Sequence, residues 1–117
     1  MELRDLVRAI LQGDLLTARQ WVADAYRVRL RWENCERPDD MNDRELAVAA
    51  GLAELLAERV GARPPPWTTS VGAQSEPVFL DPGIEKMPRT LARAMSHAPD
   101  SLRKRNLFAL PDFLDIR

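Results

Sequence analysis

The sequence contains few of the side chains on which most enzymatic chemistry depends. Cys35 is the only cysteine and His97 the only histidine among 117 residues. A single cysteine excludes an internal disulfide and a metal site made of several thiolates. A single histidine likewise excludes a metal site that needs two or more imidazole ligands. The five glycines are scattered, so there is no glycine-rich phosphate-binding loop. We therefore predict a non-enzymatic protein with no catalytic residues, no metal site and no cofactor.

Long apolar runs and an excess of charge of one sign are also missing. Lys and Arg number 17 and Asp and Glu 18, which gives a formal net charge of −1. This balance provides no overall attraction to nucleic acids or anionic membranes. Nowhere do about 18 apolar residues follow one another, and charges interrupt the sequence from Glu2 onward, so we expect neither a transmembrane helix nor a signal peptide. The expected location is the cytoplasm, which the single cysteine also fits.

Helical periodicity dominates residues 1–61, which we predict to form a three-helix core. Apolar residues recur at helical spacing in LRDLVRAILQ, and Gly13 is suited to end this first helix. The third helix, LAVAAGLAELLAERVG, is apolar on most of its circumference, which predicts a central helix with neighbours on more than one side. Asn42 followed by Glu45 resembles a capping box at its start. Gly51 and the alanines favour close packing.

The end of the second helix is ambiguous. Residues 26–32 (YRVRLRW) alternate strictly between cationic and uncharged side chains, which is the pattern of a half-buried strand. No turn signal separates them from the helical LLTARQWVADA, however, and cations are favoured in a last helical turn. We favour a helix that continues through Trp32, and a strand is the alternative.

The second half of the chain has a different composition. Residues 62–83 form a proline-rich loop, in which PPPW should be extended and VFL at 78–80 is suited to a short extended segment. Residues 84–98 contain a short helix, and residues 99–117 form a basic and apolar C-terminal segment. We predict a single all-α domain, 1–117, built as a compact bundle of four or five helices. The loop and the extended C-terminal segment should pack across it.

The C-terminal segment places cations directly before apolar residues. Arg103, Lys104 and Arg105 precede LFALPDFLDI, which is too apolar for a disordered tail and is broken by Pro111. Such a segment must be buried, either on its own helical core, which we favour, or in the groove of a partner. In either case the three cations could contact carboxylates or phosphates at the edge of that contact.

Two further groups of arginines lead to a second hypothesis. Arg27, Arg29 and Arg31 lie among aromatic residues, and Arg89 and Arg93 lie on the predicted short helix. Contact with nucleic acid is one interpretation of these groups. Solvated helix faces with local ion pairs are the other.

Several stretches of the chain resemble a family of small bacterial helical proteins. They are GDLLTARQWVADA in the first hairpin, PPPWTTSVG in the loop, MPRTLARA in the short helix and APDSLRKRNLFALPDFL at the C-terminus. Members of that family resemble the small partner encoded beside predicted nucleotidyltransferases in toxin–antitoxin-like pairs. The resemblance implies that its marker residues serve the fold or an interface: Trp67, Thr68, Leu102, Arg103, Arg105, Asn106, Pro111, Phe113 and Leu114.

These observations together favour a protein-interaction module. The resemblance implies an antitoxin-like partner that binds and restrains or positions a companion enzyme, such as a nucleotidyltransferase. The candidate partner-binding residues are Trp67, Arg103, Lys104, Arg105, Leu107, Phe108, Phe113 and Leu114. Nucleic-acid binding through the other arginines is the alternative function. Pairing into a homodimer is a further expectation, because small helical bundles with surplus apolar surface often pair.

Overall fold

Five α-helices dominate the fold. A computed structural model describes residues 1–116. Its helices are α1 (Leu3–Leu11), α2 (Leu15–Arg27), α3 (Asp43–Arg59), α4 (Pro88–His97) and α5 (Asp100–Arg103). Two strands of two residues each, β1 (Val78–Phe79) and β2 (Leu107–Phe108), and three short 3-10 turns, Trp32–Asn34, Pro66–Ser70 and Ile84–Lys86, complete it. The predicted all-α bundle is confirmed, and none of the described helices combines the length and apolarity needed to span a bilayer.

The third helix, α3, is the centre of the fold, as its apolar circumference predicted. Every residue from Ala47 to Ala57 is buried, and α1, α5 and the Pro66–Ser70 turn all contact the helix. Its N-terminus has the predicted capping box. The Asn42 side chain accepts a hydrogen bond from the Glu45 amide (2.8 Å), and the Glu45 carboxylate accepts one from the Asn42 amide (3.1 Å).

Small side chains let other elements approach α3 closely. A Cβ atom added at Gly51 would lie 2.9 Å from Leu102 Cδ2 and 3.3 Å from the carbonyl oxygen of Ser101. Glycine at this position therefore allows α5 to lie directly against the middle of α3. All the alanines of α3 are buried as well.

The second helix ends earlier than we predicted, and residues 28–32 form neither its continuation nor a strand. It ends at Arg27 because Arg29 adopts a left-handed conformation (φ 53°). The Arg29 and Leu30 amides then donate to carbonyls of the last helical turn (3.2 and 2.9 Å), which is a Schellman motif with arginine in the position usual for glycine. Trp32 follows in a 3-10 turn and is buried.

The C-terminal segment docks on its own core, which is the alternative that we favoured. Strand β2 pairs in parallel with β1, with Phe79 opposite Phe108. Parallel pairing needs a long crossover, which here contains α4 and α5. Arg59, at the end of α3, donates to the carbonyls of Phe113 (2.5 Å) and Pro111 (3.2 Å) and so holds the end of the segment against the central helix.

Candidate partner-binding surface

The three cations that precede β2 bind groups of their own chain. Arg103 pairs with Asp100, one helical turn earlier, at 2.7 Å. Lys104 and Arg105 both pair with Glu54 of α3, at 2.7 and 2.6 Å. The basic cluster therefore balances a carboxylate inside the fold and does not form an unpaired surface patch.

Arg105 is the most completely bonded of the three. Its side chain is only 3% exposed, and each of the five N–H groups of its guanidinium has an acceptor. The acceptors are Glu54 Oε1 (2.6 Å) and Oε2 (2.9 Å) and the backbone carbonyls of Thr68 (2.7 Å), Ser101 (3.0 Å) and Val71 (3.3 Å). Arg105 thus joins α3, the proline-rich loop and α5. In this conformation Arg105 offers a partner neither a free donor nor exposed surface.

Glu54 is held in its ionised form. Burial by itself raises the pKa of a carboxyl group. Hydrogen bonds from Arg105 and Lys104 outweigh that effect and lower the pKa of Glu54 to about 2. Arg105 supplies the bidentate geometry inside the fold, and Lys104 approaches the same carboxylate from the solvent side.

The apolar residues predicted to bind a partner lie in the core instead. Leu107, Phe108, Phe113 and Leu114 are all buried. The pairing of β2 with β1 draws the first two inward, and the Arg59 hydrogen bonds hold the segment that contains the other two. Their burial contradicts a role as exposed anchors in this conformation.

Trp67 is also bound to its own chain. Its indole Nε1 donates to the Cys35 carbonyl (2.9 Å), and its half-buried ring packs against the core. Of the eight residues that we predicted to bind a partner, only Arg103 and Lys104 are exposed, and both already have carboxylate partners.

The first arginine group has three separate roles. Arg27 pairs with Asp24 one turn earlier (2.8 Å). Arg29 provides the left-handed residue that ends α2. Arg31 is exposed and lines a cleft, which is described below.

Helix α4 and the residue before it present an apolar stripe that the other described residues leave largely uncovered. Leu91 and Met95 lie four residues apart on one side of the helix, and Met87, the residue just before it, continues the four-residue spacing. Met87 and Met95 are each 44% exposed, Leu91 is half-buried, and Ala94 is the one fully buried residue of the helix. The four-residue spacing is visible in the sequence as a helix signal. Its exposure depends on tertiary packing, which spacing alone does not reveal.

The exposed surface around α4 is also basic. Arg89 and Arg93 lie on the helix, Lys86 precedes it, and Glu85 is the only acidic residue between positions 84 and 98. All three cations are exposed, and none belongs to an ion pair within residues 1–116. A partner surface that combines apolar and acidic groups would be complementary to this helix.

The two side chains considered for catalysis lie in different surroundings. His97 is exposed at the end of α4, whereas Cys35 is half-buried beside the cleft that Arg31 lines. Burial raises the pKa of the Cys35 thiol, so this side chain is protonated at neutral pH. In the part of the chain that the structure describes, no three His, Cys, Asp or Glu side chains are grouped to hold a metal ion.

Cys35 lines a cleft of about 400 Å³ between the start of α1, α2 and the segment 30–39. Arg4, Arg31 and Arg37 contribute cationic side chains to it, and Trp21 contributes an aromatic one. This site could not be recognised from local patterns, since its residues are spread over three separate segments.

Comparisons with protein-family models, with curated proteins and with solved structures found no match for this chain.

Proposed function

We propose that this chain is a cytoplasmic, non-enzymatic interaction protein that binds a companion protein through α4. The observation that carries the proposal is the exposed stripe of Met87, Leu91 and Met95. Aligned apolar side chains at this spacing are the anchors that a helix places in a hydrophobic groove. Methionine side chains are flexible and polarizable, so they adapt well to such a groove.

The chemistry of α4 also indicates what the companion should offer. The stripe needs an apolar groove a little over two helical turns long, about 12 Å. Lys86, Arg89 and Arg93 are exposed and belong to no ion pair within residues 1–116, so carboxylates near that groove would complement them. An acidic-edged groove on the companion meets both requirements.

The resemblance to small bacterial partner proteins supports an antitoxin-like role. On that basis the companion is an enzyme encoded beside this chain, of the nucleotidyltransferase type, and binding restrains or positions it. The core placement of the C-terminal segment transfers the binding role from that segment to α4.

The test is binding of the purified companion by isothermal titration, with Met95→Glu compared with Leu16→Glu. Both positions are exposed, Leu16 at 82%, but only Met95 belongs to the stripe. A charge on an apolar anchor should weaken binding at least about thirtyfold, which corresponds to about 2 kcal/mol. Leu16→Glu should bind like the wild type.

Two outcomes contradict the proposal. One is a folded Met95→Glu variant that binds the companion as tightly as the wild type does. The other is sedimentation showing that the chain forms a stable dimer which Met95→Glu dissociates, because the stripe would then be a homodimer interface.

A nucleic-acid contact is the second candidate function, and it is favoured by the exposed side chains of Arg89 and Arg93, which have no carboxylate partner among residues 1–116. The affinity for a labelled RNA or DNA 20-mer should then fall with salt, and the double Gln variant should reduce the log–log salt slope by about 2. Arg27→Gln, whose side chain is already paired with Asp24, is the control. A slope that the double variant leaves unchanged would remove this candidate.

A further inference from the structure

A cleft that contains no residue of α4 holds three guanidinium groups without carboxylate partners. It has a volume of about 400 Å³ and is lined by Arg4, Arg31 and Arg37. The ion pairs within residues 1–116 include none of these arginines. Three unpaired cations on one cleft are unexpected for a chain whose net charge is −1, since carboxylates are abundant.

The innermost charge of the cleft is cationic. Arg4 is half-buried, and its Nε is buried without a hydrogen-bond partner. Its Nη2 makes one long hydrogen bond, to the Asp39 carbonyl at 3.4 Å. The carboxylate residues that line the cleft, Glu2, Glu36 and Asp39, are all exposed to solvent. The chain itself therefore leaves most of the donor capacity of the Arg4 guanidinium unused, and unused donors are costly where they are buried.

Apolar side chains complete the lining. Trp21, Leu30 and Pro38 are half-buried there. The Trp21 indole is held in place because its Nε1 donates to the Glu2 carbonyl (3.0 Å). The volume falls in the range of small-molecule sites, which combine apolar walls with a few polar anchors.

We propose that this cleft binds a small organic anion, a carboxylate or phosphate carried on a planar apolar body. Arg4 is the inner anchor, and Arg31 and Arg37 contact the anion from the exposed side. The guanidinium fork matches both anions, and the planar body stacks against Trp21. This site shares no residue with the interface proposed on α4, so either proposal can fail without the other.

The test uses four probes on the intact chain at fixed, physiological ionic strength. Phenyl phosphate and benzoate carry both features, inorganic phosphate carries only the anion, and benzyl alcohol carries only the planar body. Titration should show saturable binding of phenyl phosphate or benzoate at least about tenfold tighter than that of benzyl alcohol or inorganic phosphate. The tighter of the two aromatic anions identifies the source chemistry as phosphate or carboxylate.

Matched variants separate the site from general attraction to a positive surface. Arg31→Gln and Arg37→Gln should each weaken the tighter probe about tenfold, which is the effect of one lost charge-assisted contact. Arg93→Gln, an exposed arginine outside the cleft, should leave binding unchanged. Because both cleft positions are exposed, the variants should fold. Absence of saturable binding, equal binding of benzyl alcohol, or equal weakening by Arg93→Gln would overturn the proposal.

Discussion

Arg105→Ala removes the guanidinium that joins α3, the proline-rich loop and α5, and leaves Glu54 buried with one exposed partner. Loss of one member of a buried ion pair costs about 3–5 kcal/mol, because the remaining charge stays desolvated. Lys104 continues to pair with Glu54 at 2.7 Å, which places the expected loss near the lower end, at about 3–4 kcal/mol. The free energy of unfolding of a small domain is about 5–15 kcal/mol, so this single change should remove a large part of the stability.

Urea unfolding followed by tryptophan fluorescence and circular dichroism measures this loss. Arg103→Ala is the matched control, because Arg103 is a neighbouring cation whose pair with Asp100 is exposed. It should cost less than about 0.5 kcal/mol. Because a loss of about 1 kcal/mol lowers the melting temperature of a small domain by about 4–8 °C, the Arg105 variant should melt more than about 10 °C below the wild type. A loss below about 1 kcal/mol, or equal losses for the two variants, would refute the role that we assign to Arg105.

A second variant distinguishes the charge pair from the backbone contacts. Glu54→Leu combined with Arg105→Met removes both charges, and an apolar replacement of a buried ion pair is often neutral. Here the guanidinium also serves the carbonyls of Thr68, Ser101 and Val71. We therefore expect the double variant to remain less stable than the wild type by about 1–3 kcal/mol, because buried acceptors lose their donor.

Three further predictions concern pH, packing and backbone strain. The lowered pKa of Glu54, about 2 against an ordinary 4.5, contributes stability above pH 4.5 that is lost as the pH falls toward 2. After allowance for solvent screening it amounts to about 2 kcal/mol, and Glu54→Gln should flatten this part of the stability–pH curve. Gly51→Ala should cost about 1–2 kcal/mol in urea unfolding despite its better helix propensity, because Leu102 and Leu107 are fully buried and cannot move aside; equal or higher stability would contradict this packing. Arg29→Gly should stabilise the fold by about 0.5–1 kcal/mol, because glycine adopts the left-handed conformation without strain. The melting temperature should therefore rise, and a lower melting temperature would contradict the assigned strain.

The central part of the fold could be predicted because its signals are local. The apolar circumference of α3 required neighbours on several sides, and the structure buries it from Ala47 to Ala57. The pair Asn42 and Glu45 specified the start of that helix through contacts three residues apart. Gly51 indicated a close approach, although not which element makes it.

The end of α2 could not be predicted from periodicity. Helix and strand were the two patterns that fitted residues 26–32, but the left-handed conformation of Arg29 produces a third result. Nothing in an arginine side chain signals that conformation, which glycine or asparagine usually supplies. The turn at Arg29 leads to Trp32, which is buried in the core. Burial depends on tertiary packing, which periodicity does not reveal.

The carboxylate that the basic cluster binds could not be identified from local patterns, because Glu54 lies 51 residues before Arg105 in the sequence. Glu54 was the available signal: a carboxylate in the middle of a helix that is apolar nearly all round must be paired when buried. The C-terminal segment has a surplus of cations. Pairing one of them with Glu54 would have assigned a cation such as Arg105 to the core.

This assignment changes how partner binding can be tested. Deletion of residues 99–117 is the natural experiment for a basic and apolar tail, but it would also remove Arg105 and the strand that covers α3. Glu54 would lose its guanidinium partner. The surface of α3 at Gly51, which Leu102 and Leu107 cover, would be open to water. Loss of binding after such a deletion would therefore report unfolding as readily as a lost interface. Only substitutions of exposed side chains, such as Met95 on α4, separate the two, because they change the surface and leave the Arg105 contacts intact.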